Sequence, residues 1–246
     1  MTALIASSAL GGPIARTLVA CALPVAAAVG GATWAARRPP AAAVRSAIQH
    51  FAAGLVFAIA AAELIPDLKE EHHTAAVIGG FATGVALMLA IQVGAKRLGS
   101  GSSSSTPVLV VTGIDFAVDG LLLGIAFADG GTVGLLLAFA LTVELLGLGV
   151  AVALSLIDSG HSRAETVATT SALSIIVVFG GLLGVSALSG LGGSALSFVL
   201  AFATAALLYL VTEELLTEAH ETEDTPLLTA TFFAGFLLVL VLSFSA

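Results

Sequence analysis

Cysteine, charge and basic side chains are all scarce in this chain. The single cysteine, Cys21, excludes a disulfide framework and a Cys-based zinc cluster. Charged residues make up 10% of the 246 positions, where a soluble domain carries about 25%. Lysine and arginine together number 8, and lysine occurs only at Lys69 and Lys96. So few cations cannot line a groove that follows a phosphate backbone, which excludes a nucleic-acid binder. What is present is apolar: 58% of residues are hydrophobic and the mean hydropathy is +1.11. That excludes a disordered chain and an ordinary soluble enzyme. The class left is a polytopic membrane protein in contact with a lipid bilayer.

A spanning helix needs about 20 apolar residues. Interruptions by charge, Pro, Gly and Ser divide the chain into eight segments, approximately 17–36, 43–66, 75–95, 107–128, 131–157, 166–189, 194–217 and 226–245. Runs this long are helices, because barrel strands are about ten residues long and alternate apolar with polar, and lipid requires internally satisfied backbone. The expected fold is therefore an all-α membrane protein, a bundle of eight transmembrane helices. Residues 1–16 lack a basic n-region and a clear cleavage site, and read as a lead-in to the first span. Arg37, Arg38, Arg45, Lys96, Arg97 and Arg163 fall on one side of this topology, and Arg16 and Lys69 on the other. The positive-inside rule then places both termini outside the cell membrane. The Gly/Ser-rich stretch 96–106 reads as a flexible cytoplasmic loop. Asp67, Glu70, Glu71, Asp129, Asp158, Glu165, Glu218, Glu221, Glu223 and Asp224 are assigned to loops. An acidic, lysine-poor surface fits a high-salt habitat, and equally a chance bias in short loops.

Span two ends AAAELIPDLKEEHH and span seven ends VTEELLTEAHETED. Aligned on Glu63 and Glu214, both read Glu-Leu-(Ile/Leu)-x-(Asp/Glu), followed by a polar stretch with histidine. The two spans run in opposite directions, so spans 1–3 and 6–8 are candidates for an inverted repeat around spans 4–5. Span four reads VVTGIDFAVDGLLLGIAF, with Asp115 and Asp119 on one helix face about 6 Å apart along the axis. Span five places Glu144 near its middle, and neither span contains Lys, Arg or His. A carboxylate at bilayer depth costs about 2.5–3.5 kcal/mol on insertion scales. Two outcomes relieve the mutual repulsion. The acids are protonated, which suggests a proton relay, or they share a cation, which suggests a metal pathway. The plainer alternative is neutral acids that tie neighbouring helices together. Thr112 and Thr142 are expected to bond back to their own helix. Gly120 and Gly124, beside Asp119, form a small-xxx-small pair that would let spans four and five approach closely enough to share one ion.

These features resemble the ZIP (Zrt-, Irt-like) family of divalent-metal transporters, and the likeness covers essentially the whole chain. Eight spans, both termini outside and a variable loop after span three are similar to that family. Its fourth-span pattern, His-x-x-x-(Glu/Asp)-Gly, is matched by Asp115-Phe-Ala-Val-Asp119-Gly120, with Asp115 where histidine is usual. Its fifth-span pattern, (His/Gln)-(Asp/Glu)-x-x-(Glu/His)-Gly, is matched at Glu144 and Gly149, with Leu145 and Leu148 at two ligand positions. Glu63-Leu-Ile-Pro66 in span two and Glu213-Glu214-Leu-Leu in span seven are also similar to family signatures. The resemblance implies a metal site from Asp115, Asp119 and Glu144, with Glu63 and Glu213 as gate or accessory acids. Glu213 is preferred to Glu214 as the deeper of the two. Such an all-oxygen set favours Mn²⁺, Fe²⁺ or Mg²⁺ relative to a His-bearing zinc site.

The reading is a secondary transporter that moves a divalent zinc, iron or manganese-class cation as substrate, with no organic cofactor. Transport would come from rocking of the repeat helices against spans four and five. The alternative is a non-transporting cation-binding or sensor protein of the same fold, favoured by Leu145 and Leu148. An enzyme is not expected, since HExxH and GxSxG are absent and both aspartates lie in one span. A bundle of this kind often forms a homodimer, although no feature marks a dimer face. His72 and His73 with Glu70 and Glu71, and His220 with its acidic neighbours, are either cation-gathering mouths or ordinary solvated loops. His50 is either an inner exit ligand or a side chain that snorkels to the interface.

Overall fold

A computed structural model describes residues 12–70, 73–99, 106–129, 131–188, 191–223 and 225–244. Among them are eight helices long and apolar enough to cross a membrane. The helices are α1 (Pro13–Arg37), α2 (Ala42–Ile59, Ala60–Leu64 and Ile65–Glu70 in sequence), α3 (Thr74–Gly99) and α4 (Thr106–Asp129). They continue as α5 (Gly131–Asp158), α6 (Arg163–Leu188), α7 (Ser194–Tyr209, Leu210–Leu215 and Leu216–Ala219 in sequence) and α8 (Pro226–Ser243). The protein is an integral membrane protein whose outer helices meet lipid. Side chains such as Phe179, Leu183 and Leu227 stand exposed on the surface of the bundle.

Local chemistry fixes several helix ends. Ser162 and Glu165 form a capping box, in which the Ser162 hydroxyl accepts from the Glu165 N–H at 3.3 Å and the Glu165 carboxylate accepts from the Ser162 N–H at 2.8 Å. Thr225 caps α8 ahead of Pro226 at the first helical turn. Two helices carry a π-helical segment, Ala60–Leu64 in α2 and Leu210–Leu215 in α7. In α2 the cause is Pro66, which has no N–H to give the carbonyl four residues back. In α7 the Thr212 hydroxyl bonds back to the carbonyls of Leu208 and Tyr209 at 3.0 and 3.2 Å, an interaction that bends helices.

The helices extend beyond the apolar runs. Asp67, Glu70, Asp129, Asp158, Glu165 and Glu218, assigned to loops by charge alone, all lie in helical turns. Residues 96–99 continue α3 rather than opening a loop, and the rest of the Gly/Ser-rich stretch up to Ser105 lies outside the described residues. Residues 1–11 of the lead-in also lie outside them, as do Glu71, His72 and Asp224.

Packing divides the bundle into two sets. In one, α1 packs on α5 and α6, while α4 packs on α5 and α6. In the other, α2 packs on α7 and α8, and α3 packs on α7. The sets meet where α2 touches α5, α3 touches α4, and α4 touches α7. The sets therefore do not separate α4 and α5 from all the other helices, as the rocking expectation had it: α1 and α6 belong with them. Glycine explains the closeness within a set. A Cβ on Gly120 would fall 2.1 Å from the Val177 carbonyl oxygen of α6, and one on Gly124 would fall 2.2 Å from that of Gly181. The Gly120–Gly124 stripe thus seats α4 against α6, which corrects the expectation that it faces α5. One residue turns an α-helix by about 100°, so a glycine following Asp119 cannot share that carboxylate's face.

Candidate functional site

The polar residues of the spans are arranged in layers along the seam between the two sets. A cavity of about 430 Å³ enters the bundle from the end that carries the α1–α2 connection. Thr112 and Asp115 of α4 and Glu144 and Leu148 of α5 line one side of it. Glu213, Glu214 and Glu218 of α7, with Gln92 of α3, line the other. One turn beyond Asp115, Asp119 is sealed from the cavity, with 0% of its surface exposed.

Past Asp119 the seam turns apolar. Ile59, Leu122, Ile125, Leu137, Ala203 and Leu207, from α2, α4, α5 and α7, leave a void of only about 10 Å³. That lies at the lower limit for a single water molecule. The seam is therefore open to the carboxylates from one end and blocked by packed side chains at the other.

Asp115, Asp119, Glu144, Glu214 and Glu218 form one cluster of electrostatically interacting acids, and among the described residues no basic side chain lines the cavity. Among the described residues neither oxygen of Asp119 has a hydrogen-bond partner, nor does Glu144 Oε2. Glu144 is 2% exposed and Asp115 9%. Burying polar oxygens without partners costs about 1–3 kcal/mol each. As placed, no three His, Cys, Asp or Glu side chains among the described residues converge closely enough to hold a metal ion. The carboxylates form a convergent acidic surface rather than a closed coordination sphere.

The structure brings together Asp115, Asp119 and Glu144. Glu213 reaches the same cavity but at its exposed rim, where the Gln92 amide donates to it at 3.4 Å. Its neighbour Glu214 is the glutamate of α7 that faces the three central acids. Glu63 does not line the cavity; it sits in the π segment of α2, beside the apolar plug to which Leu64 contributes.

Leu148 lines the cavity, whereas Leu145 is fully buried in the core. Thr142 donates to the Ala138 carbonyl of its own helix at 2.6 Å, as its position in a span suggests. His50 is buried, its Nδ1 lies 3.0 Å from the Ser46 carbonyl oxygen, and its ring packs on that of His220 with centroids 5.2 Å apart. That places it in the helix interface rather than snorkelling outward.

Gln49 carries no motif in the sequence, and Glu218 stands there only among the acidic neighbours of His220, yet the structure joins them. The Gln49 amide Nε2 donates to the Glu218 carboxylate across α2 and α7. The one available signal is polarity: Gln49 is a polar side chain two turns inside an apolar helix, and Glu218 an acid at the end of one. Compared with known proteins, the chain matches no family model and no curated protein.

Proposed function

We propose that this protein is a secondary transporter that moves a divalent transition-metal cation of the zinc, iron or manganese class, handled as substrate at a midplane carboxylate site. The observation that carries the reading is the convergence of Asp115, Glu144 and Glu214, from three helices and both packing sets, on a cavity open from one end, with Asp119 buried one turn beyond it. Unpaired carboxylates facing each other in an apolar bundle call for positive charge, and a divalent cation supplies it. A site divided between two packing sets also links its occupancy to their relative position. Movement of α1, α4, α5 and α6 against α2, α3, α7 and α8 would carry the site past the apolar plug.

The resemblance to the ZIP family supports the same reading through Asp115, Asp119-Gly120 and Glu144. An inverted repeat has support in the pattern of contacts. Exchanging α1 with α6, α2 with α7, α3 with α8 and α4 with α5 turns the α1–α5 packing into α6–α4, and α2–α8 into α7–α3. The π segments of α2 and α7 are likewise exchanged. By the distribution of Arg and Lys, the open end is cytoplasmic and both termini are extracellular.

Uptake of Mn²⁺, Fe²⁺, Co²⁺, Zn²⁺ and Cd²⁺ into proteoliposomes tests the proposal. Saturable flux is expected for the wild type and a loss of at least roughly tenfold for Asp119→Ala. Glu214→Gln is expected to reduce flux more than Glu213→Gln, because only Glu214 faces the central acids. A folded wild type that binds cations and passes none would favour the sensor reading, for which Leu145 and Leu148 at two ligand positions are the motive.

A further inference from the structure

A second cavity lies beside the first at the open end. It measures about 150 Å³ and is lined by Arg45, Ser46 and Gln49 of α2, by Glu218 at the end of α7, and by Glu221 and Thr222 just after it. Glu218 lines both cavities, so it stands at their junction.

Gln49 is the unusual member. It is 5% exposed, its Nε2 donates to Glu218, and its Oε1 accepts from no group among the described residues. The opposite orientation of the amide would set its oxygen against a carboxylate, so the hydrogen bond fixes which atom is left over. That atom is held close to Gly147 of α5, where a Cβ would come within 2.9 Å of it. A glycine at this point leaves room for the amide at the junction of the two packing sets. Ser46, in contrast, is already committed, its hydroxyl donating to the Ala219 carbonyl at 2.8 Å.

The geometry points to a second cation-binding site at the mouth of the central cavity, formed by Glu218, Glu221 and the Gln49 amide oxygen. Its ligand class is a hard, hydrated divalent cation. Carboxylate and amide oxygens suit such ions, which keep several waters when bound near bulk solvent. The Gln49 N–H holds the Glu218 carboxylate in place, as an outer hydrogen bond does for a metal ligand. Its Oε1 then adds a ligand oxygen that no group among the described residues uses. Arg45 lines the same cavity, and its positive charge repels an incoming cation. The role of the site as a waystation rests on the proposed transport function; binding at the site does not.

The test is a titration of Mn²⁺ into the purified full chain in lipid nanodiscs, with free Mn²⁺ followed by its paramagnetic resonance. Asp119→Ala is the background, so that the deep site does not mask the mouth. Binding is expected to persist in that background and to weaken roughly tenfold or more with Glu218→Gln or Gln49→Leu. Arg45→Gln, a change at an exposed residue, is expected to tighten it. Loss of Mn²⁺ binding in the Asp119→Ala background overturns the proposal, and so does binding that Arg45→Gln leaves unchanged. Absence of flux in the wild type, with this binding intact, would count against transport and leave the mouth site standing.

Discussion

Asp119 offers a sharp separation between a functional and a structural carboxylate. Its two oxygens are fully buried and neither has a hydrogen-bond partner among the described residues. Each such group costs the folded state about 1–3 kcal/mol. Asp119→Ala removes both. It also removes a side-chain volume of roughly 20–25 Å³, which at about 24 cal/mol per Å³ of residual cavity costs on the order of 0.5 kcal/mol. Some side-chain packing is lost as well. The expected net effect is stabilisation of the metal-free protein by about 1–3 kcal/mol, which for a chain of this size raises the melting temperature by several degrees at about 2–4 °C per kcal/mol. Cation binding should reverse the order. At a concentration of about 100 times Kd, a bound cation stabilises the wild type by about 2.7 kcal/mol, and the variant lacks the deep ligand that yields this gain. The assay is thermal unfolding of both proteins, with and without Mn²⁺, followed by circular dichroism. Metal-free Asp119→Ala should melt above the metal-free wild type, and added Mn²⁺ should shift the wild type further than the variant. If the substitution lowers the melting temperature of the metal-free protein, Asp119 is holding the bundle together as a neutral acid, and the argument from its unpaired oxygens is wrong.

Two further outcomes follow from the layering and the packing. Cys21 is fully buried, so single cysteines can be placed against a silent background. Thr112→Cys and Leu148→Cys should react with a membrane-impermeant thiol reagent supplied from the α1–α2 loop side, and Leu137→Cys in the plug should react from neither side. Labelling of Leu137→Cys would show that the seam is not blocked there. For the helix contact, Gly120→Ala places a methyl group 2.1 Å from the Val177 carbonyl oxygen, while Gly30 has nothing within 4 Å of its Cβ position. Gly120→Ala should therefore cost about 1–3 kcal/mol or more in stability, whereas Gly30→Ala should leave the yield of folded protein unchanged.

The parts of this protein that the sequence makes legible are those governed by the solvent. Lipid forbids unsatisfied backbone, so eight long apolar runs translate directly into eight helices. The same solvent makes an intramembrane carboxylate costly, so Asp115, Asp119 and Glu144 stand out on composition alone. What stays hidden depends on rotation and partner choice. Glu213 and Glu214 differ by about 100° around α7, and a π segment begins three residues before Glu213, so depth along the span does not decide which of them faces the acids.

The glycine stripe shows the same division. Gly120 and Gly124 announce a close helix contact, but the pattern alone names no partner, and the partner is α6. The helical wheel did contain the correction: residues one position apart cannot share a face, so glycines that follow Asp119 must look away from whatever Asp119 looks toward. Gln49, and its pairing with Glu218, stay hidden for a different reason. A polar side chain near the end of an apolar helix is usually an interfacial one, and only the hydrogen bond between α2 and α7 sets this pair apart. In a bundle whose apolar surface is nearly uniform, hydropathy locates the helices, and the few polar side chains that find no partner mark where they do more than pack.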